Sequence, residues 1–88
     1  MEIKFISKIY RCRPILDINN GLETSEFEEE LVDTKVFTLS DLRCDLEDVH
    51  VYVCNGIRNF RNLYPSGRYR VNTKQSRVKV SRSSYLFV

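Results

Sequence analysis

Three cysteines and one histidine are the side chains in this sequence suited to binding a transition metal: Cys12, Cys44, His50 and Cys54. Zinc favours such sulfur and nitrogen ligands, but its sites usually contain close pairs such as Cys-x-x-Cys, and the sequence has none. If His50 and Cys54 belong to one strand, they lie about 13 Å apart, too far to share an ion. We therefore predict no metal site and no cofactor, with the cysteines serving as small buried apolar side chains.

His50 is the single histidine and the first candidate for a general base, because histidine ordinarily titrates near neutral pH. Small metal-independent ribonucleases assemble Arg, Lys, His and Tyr side chains and cleave RNA through its own 2′-hydroxyl. The chain has these residue types, for instance His50, Arg68, Arg70 and Tyr85, but no local motif supports the comparison. We predict no catalytic residue and a non-enzymatic protein, and keep a metal-independent ribonuclease as the less favoured alternative.

Charge is strongly separated along the chain. Residues 22–48 contain ten acidic and two basic side chains, whereas the forty residues after Asp48 contain eight basic side chains and no acidic one. Clustered positive groups bind polyanions by releasing condensed counterions, without sequence-specific contacts. The basic half therefore predicts binding to the RNA or DNA backbone. Its candidate contacts are Arg58, Arg61, Arg68, Arg70, Lys74, Arg77, Lys79 and Arg82.

The acidic segment leaves two other interpretations open. In the first, it docks on the basic half of the same molecule, or the charges only keep the sheet surface soluble. In the second, the chain is a protein-binding inhibitor or modulator, a role that would suit a virus or mobile element. Its partner would then be a charged protein surface, and charge complementarity would set the specificity. The candidate contacts for that role are Glu26, Glu28, Glu29, Glu30 and Asp33.

The first residues do not have the pattern of a secretory signal, because Glu2, Lys4 and Lys8 interrupt them and no apolar core follows. Apolar runs are short compared with the roughly 20 residues that span a bilayer. We expect a cytoplasmic chain with reduced thiols and no membrane partner. A length of 88 residues predicts one domain over residues 1–88.

The N-terminal part has the pattern of a β-hairpin. Ile3, Phe5 and Ile9 share one parity and alternate with charged or polar neighbours, which predicts a strand. Pro14 has no backbone donor, so this strand lies at a sheet edge or breaks there. The Asn-Asn-Gly sequence at residues 19–21 predicts a tight tip.

The segment after this tip permits more than one structure. Its acidic residues fit a returning strand or a helix capped by Ser25 equally well. Residues 36–39 have an extended pattern. Ser40 then begins a predicted helix of about two turns that ends near Asp48.

Residues 49–53 alternate Val with His and Tyr, which predicts a strand, and Asn55-Gly56 after them predicts a hairpin turn. Residues 57–64 form either a returning strand or a helical turn. Residues 65–67, Pro-Ser-Gly, form a turn.

The C-terminal part is predicted to be extended. Strands at residues 68–72 and 77–81 are separated by a polar tip at 73–76. A turn at 82–84 leads into a last strand at 85–88.

The sum of these elements is an α+β fold: one small domain, mainly an antiparallel sheet of about five strands, with one or two short helices. If the two basic strands pair, alternation places Arg68, Arg70, Arg77 and Lys79 on one solvent face. Tyr69 then falls on the core side. Base stacking requires rings beside the cations, so the pattern favours recognition of the nucleic-acid backbone over base stacking.

Overall fold

The computed structural model describes residues 2–40 and 44–88. Its described elements are four strands and one helix, in the order β1 (Ile3–Leu16), β2 (Glu23–Leu39), α1 (Leu46–Asn59), β3 (Arg68–Gln75) and β4 (Ser81–Phe87). The strands form one antiparallel sheet in the order β2-β1-β3-β4. This is an α+β arrangement, as predicted, although the sheet has four strands rather than about five.

Strand β1 has the predicted parity. Phe5, Ser7 and Ile9 are buried on one face of the sheet, as alternation along a strand requires. Pro14 does not end the strand, which continues to Leu16 and pairs with β2 past the proline. Pro14 is tolerated because β3 pairs with β1 only as far as Cys12, so β1 is an edge strand on that side.

The hairpin between β1 and β2 closes at residues 17–22. Gly21 has a φ of +69°, the left-handed region that glycine enters without strain. The side chains of Asp17 and Asn20 accept backbone N–H groups two residues further on, at 2.7 and 2.8 Å. These local bonds build the predicted tip.

The acidic segment is a strand, so the alternative of a helix capped by Ser25 is wrong. The register explains the choice, because it sets Arg11 opposite Glu30 and Arg13 opposite Glu28. Opposite charges across neighbouring strands stabilise the pairing, whereas neighbouring acids on one helix repel one another.

The predicted strand at residues 49–53 is wrong, because these residues lie inside α1. Val49, Val53 and Ile57 are buried at a four-residue spacing on the helix face that meets the sheet. Val51, which a strand would bury beside Val49 and Val53, is 46 % exposed. Val49 and Val53 fit both the twofold period of a strand and the period of a helix, and in the helix Ile57 joins them on the buried face. Asn55-Gly56 therefore lies within the helix and forms no hairpin.

The start of α1 is fixed by two aspartates. The Asp45 carboxylate accepts the backbone N–H of Asp48, and the Asp48 carboxylate accepts that of Asp45, both at 3.0 Å. This capping box makes Leu46 the first helical residue. The predicted helix beginning at Ser40 is thus wrong in its bounds over the described residues, and its residues 41–43 lie outside them.

The predicted strand at residues 77–81 and the turn at 82–84 are also wrong. Residues 76–80 connect β3 to β4, and β4 pairs with nearly the full length of β3. This register sets Leu86 opposite Tyr69 and buries both, whereas Val78 and Val80 stay about half exposed. Burial of the larger apolar pair favours the observed strand.

The core lies between α1 and the sheet. It is built from Ile9, Val53, Ile57, Tyr69, Val71 and Leu86. A chain of polar side chains, buried except for the half-buried Ser84, runs beside it and joins four elements. Ser7 contacts Thr73 at 2.8 Å, Thr73 contacts His50 Nδ1 at 2.9 Å, and His50 Nε2 contacts Ser84 at 2.8 Å. These contacts satisfy groups whose burial alone would be costly.

Candidate nucleic-acid interface

The sheet has one face covered by α1 and one face that no described element covers, which we call the open face. Alternation and register place side chains from all four strands on it. Its basic residues are Lys4, Lys8, Arg68, Arg70 and Lys74. Its aromatic residues are Tyr10, Phe27, Tyr85 and Phe87.

Arg68 lies among three rings at one end of the open face. The central carbon of its guanidinium is 4.2 Å from the ring centroid of Phe27, 4.8 Å from that of Tyr85 and 5.3 Å from that of Phe87. Its Nε is buried and has no hydrogen-bond partner among the described residues. The ring faces offset part of that cost, because they attract a cation that is partly removed from water.

Arg70 lies next to this cluster and contacts both a ring and a carboxylate. Its guanidinium is 4.3 Å from the ring centroid of Tyr10, and its Nε donates to Glu29 Oε2 at 2.5 Å. The hydrogen bond to Glu29 raises the pKa of Arg70, so the charge is permanent. Within the described part of β2 from Phe27 onward, Glu29 is the one acidic side chain on the open face.

Cys12 lies beneath these charges and is buried. Burial raises the pKa of its thiol, and Glu29 raises it further, against the opposing effect of Arg68 and Arg70. The thiol therefore stays protonated at neutral pH, and Cys12 packs as a small apolar side chain beneath the open face.

Three of the eight basic residues selected from the sequence share this face: Arg68, Arg70 and Lys74. The others lie elsewhere: Arg58 on α1, Arg61 in the turn after it, Arg77 and Lys79 between β3 and β4, and Arg82 beside α1. Arg82 contacts Glu47 at 3.3 Å. The predicted set of Arg68, Arg70, Arg77 and Lys79 on one sheet face is therefore wrong, because residues 76–80 are not a strand.

The acidic residues proposed as protein contacts are divided between the two faces. Glu29 pairs with Arg70, and Glu30 contacts Arg13 at 3.5 Å on the other face. Asp33 accepts the Tyr64 hydroxyl at 2.7 Å and lies 3.7 Å from Lys35. Glu26 and Glu28 are exposed on the part of the hairpin that extends past β3. Of these ion pairs, the one between Glu29 and Arg70 joins the acidic segment to the basic half of the chain, as expected if the two parts dock on each other.

The metal-ligating and catalytic candidates do not come together. His50 and Cys54 lie one helical turn apart, and His50 Nε2 is 3.7 Å from Cys54 Sγ. The large separation predicted for two residues of one strand is therefore wrong. Cys12 is on the open face, across the sheet from them. The described residues contain no group of three side chains placed to hold a metal ion. His50 is likewise separated by the sheet from Arg68, Arg70 and Tyr85.

Sequence reasoning missed most of the rings on the open face. Tyr10 shares the parity of Lys4 and Lys8, so the strand pattern of β1 already placed it with cations. Tyr85 and Phe87 share a parity in β4, but the wrong register hid their position beside Arg68. Phe27 reaches this face because the acidic segment is a returning strand; the alternative helix capped by Ser25 would not have placed it there.

Comparison with protein-family models, with curated proteins and with solved structures finds no match to this chain. None of the helices in the described ranges has the length and apolar content needed to cross a bilayer.

Proposed function

We propose that the protein binds single-stranded RNA or DNA on the open face. The observation that carries this proposal is the interleaving of rings with cations: Arg68 with Phe27, Tyr85 and Phe87, and Arg70 with Tyr10. Proteins that hold single strands combine a positive groove for the backbone with rings on which bases stack. The open face offers both components side by side.

Two groups of side chains have different roles in this proposal. Tyr85 and Phe87 are 57 % and 75 % exposed, so their rings are accessible to an unpaired base. Lys4, Lys8 and Lys74 project from the same face and attract phosphates. Bases inside a duplex are stacked on each other and unavailable to these rings, which is why a single strand fits better than a double helix.

The electrostatic balance supports a polyanion as ligand. Apart from the hairpin tip beyond Phe27, the described strands place five basic side chains and one carboxylate on the open face, although the whole chain has a formal charge of only +2. When these cations neutralise phosphates, the counterions condensed on the single strand are released, so binding becomes weaker as salt increases. Each phosphate that the protein neutralises contributes about 0.7 to the logarithmic slope of affinity against salt concentration.

The test is binding of labelled single-stranded RNA, single-stranded DNA and a matched duplex, by fluorescence anisotropy over a series of salt concentrations. Replacing Lys4, Lys8 and Lys74 with Gln together is expected to reduce the salt slope by about 2. Replacing Arg58, Arg61 and Lys79 with Gln together removes the same number of charges away from the open face; it is the matched control and should leave affinity and slope unchanged. Absence of binding at low salt, or an equal reduction in the control, would contradict the proposal.

A protein-binding role is the second candidate, and the projecting part of the β1–β2 hairpin favours it. Beyond Cys12 the two strands extend past β3, and the tip exposes Leu16 by 56 %, Ile18 fully and Leu22 by 66 %. Exposed apolar groups on a projecting arm are typical of protein contacts. Pull-down with and without nuclease separates the two roles, because a protein partner would still be captured after nuclease treatment. The Ile18→Ser variant, used as bait, should no longer capture that partner.

A further inference from the structure

The guanidinium of Arg68 has unpaired hydrogen-bond donors. None of its three nitrogens donates to a described residue, and no described carboxylate pairs with its charge. Arg70 differs in this respect, because its Nε donates to Glu29. The Nε of Arg68 is buried, whereas its two terminal nitrogens reach the surface. Arg68 therefore presents two donors to a ligand on the open face.

The three rings around Arg68 restrict how a ligand can approach it. Phe27 projects from the β1–β2 hairpin on one side, and Tyr85 and Phe87 project from β4 on the other. Rings stack on the flat face of a guanidinium, so its edge is the part left for hydrogen bonding. Because Nε is buried, the available edge is the fork of the two terminal nitrogens. Two parallel N–H groups match a ligand with two adjacent acceptor atoms.

We propose that Arg68 recognises guanine in the bound strand, with its terminal nitrogens donating to O6 and N7 of the base. This contact rests on the proposed binding of single strands and adds a base preference to it. Guanine presents these two acceptors side by side, and a bidentate arginine is their commonest specific partner. Adenine has an amino donor beside N7, so one donor of the fork would face another donor. An unstacked base in a single strand can turn this edge toward a side chain.

The surroundings of the fork favour a base over a phosphate. A phosphate also offers two acceptors, but it is strongly hydrated, and three rings border the fork. A base bonded to the fork lies in the plane of the guanidinium, so its faces can stack on the same rings. Cytosine has two adjacent acceptors as well, O2 and N3. The fused rings of guanine are larger and cover more of the exposed Tyr85 and Phe87 rings.

Phosphates have other partners on the open face. Lys74 lies six residues from Arg68 along β3, a distance of about 20 Å. Lys4 lies near Lys74, because Lys74 pairs with Ile6 of β1. A single strand that places a guanine at Arg68 can therefore place its backbone against these lysines.

The first experiment varies the ligand. Labelled uridine oligonucleotides carry one central guanosine, inosine, 7-deazaguanosine, adenosine or cytidine, with a thymidine set as the DNA equivalent, and fluorescence anisotropy measures their affinities. Guanosine and inosine, which both keep O6 and N7, should bind about tenfold more tightly than the other three in whichever set binds. 7-Deazaguanosine is the sharpest comparison, because it differs from guanosine only at the N7 acceptor.

The second experiment varies the protein. Arg68→Lys keeps the positive charge and removes the fork, so the preference for guanosine should disappear. Affinity for the strand of uridine alone, and its dependence on salt, should change little. Arg58→Lys on α1 is the matched control and should keep the preference. Circular dichroism confirms that both variants are folded.

Several results would overturn the inference while the proposed function stands. They are equal affinity for all the substituted strands, a preference for cytidine, and a guanosine preference that 7-deazaguanosine or Arg68→Lys retains. Equal weakening of every strand by Arg68→Lys would instead assign this side chain to a phosphate. Failure to bind any single strand would overturn the proposed function as well.

Discussion

On the open face, Arg70 in β3 donates its Nε hydrogen to Glu29 in β2 across the intervening β1, although the two residues are 41 positions apart in sequence. The guanidinium is thereby held over the Tyr10 ring and faces a carboxylate of the acidic segment. A phosphate approaching the open face must compete with that carboxylate. The pair therefore orders Arg70 and also reduces its availability.

Glu29→Gln is expected to increase affinity for a single strand about two- to fivefold at low salt, because it removes the competing charge from a partly exposed pair. Anisotropy titration against the unmodified protein measures the change. Glu30→Gln is the control, since Glu30 pairs with Arg13 on the other face and should have little effect. An equal gain from both variants would indicate a general effect of net charge.

Phe87→Ala is expected to weaken single-strand binding by about 1–3 kcal/mol, the usual value of one base stacked on a ring. The ring is 75 % exposed, so its removal should not unfold the sheet. The salt slope should stay the same, because the variant keeps every cation of the open face. This separates Phe87→Ala from the lysine variants; a change in slope without a change in affinity would contradict the assigned role.

Stability should fall as the pH drops below about 6.5, the ordinary pKa of histidine. Burial lowers the pKa of His50, with Glu47 opposing and Arg82 adding to the shift. The unfolded chain therefore takes up a proton at a pH where the folded chain does not, and protons favour unfolding. Urea denaturation over a pH series measures this slope. His50→Gln should reduce it, and an unchanged slope would refute the assignment to His50.

Thr73→Val is expected to destabilise the fold by about 1–3 kcal/mol, because it leaves two buried polar partners, Ser7 and His50, without the threonine hydroxyl. The substitution conserves shape, so the decrease in stability reports hydrogen bonding more than packing. Chemical denaturation measures the difference. Asn72→Ala on the open face removes only an exposed bond to Ser83 and should cost much less.

Gly56→Ala should stabilise the protein by about 0.5–1 kcal/mol, because alanine has the better helix propensity and its Cβ meets no other atom. Gly21→Ala is the opposite case, since its φ of +69° is unfavourable for alanine. Thermal denaturation of both variants tests the pair. Destabilisation by Gly56→Ala would contradict the placement of this residue within α1.

Local patterns were sufficient for much of the sheet. The parity of Phe5 and Ile9 predicted the buried face of β1, and Asn-Asn-Gly predicted the hairpin tip. In β3, alternation separated Arg68 and Arg70 from buried Tyr69, so one row of the candidate site was predictable. These inferences needed only the twofold repeat of a strand and the backbone freedom of glycine.

Features that depend on distant partners could not be predicted. Val49 and Val53 fit both a strand and a helix, and the capping box of Asp45 and Asp48 decides between them. The pairing of Arg70 with Glu29 requires the register of three strands. Phe27 reaches Arg68 only when the acidic segment returns as a strand, and its many glutamates gave no local preference for that structure.

The central position of β1 has a consequence for folding. Its Ile9 is flanked by Asp33, in the neighbouring hairpin strand, and by Val71, near the far end of the chain. The hairpin of β1 and β2 can form early, but the edge of β1 that pairs with β3 stays unpaired until β3 has been synthesised. Such an edge is prone to intermolecular pairing. We therefore expect the nascent chain, before β3 is complete, to need a chaperone more than the folded protein does.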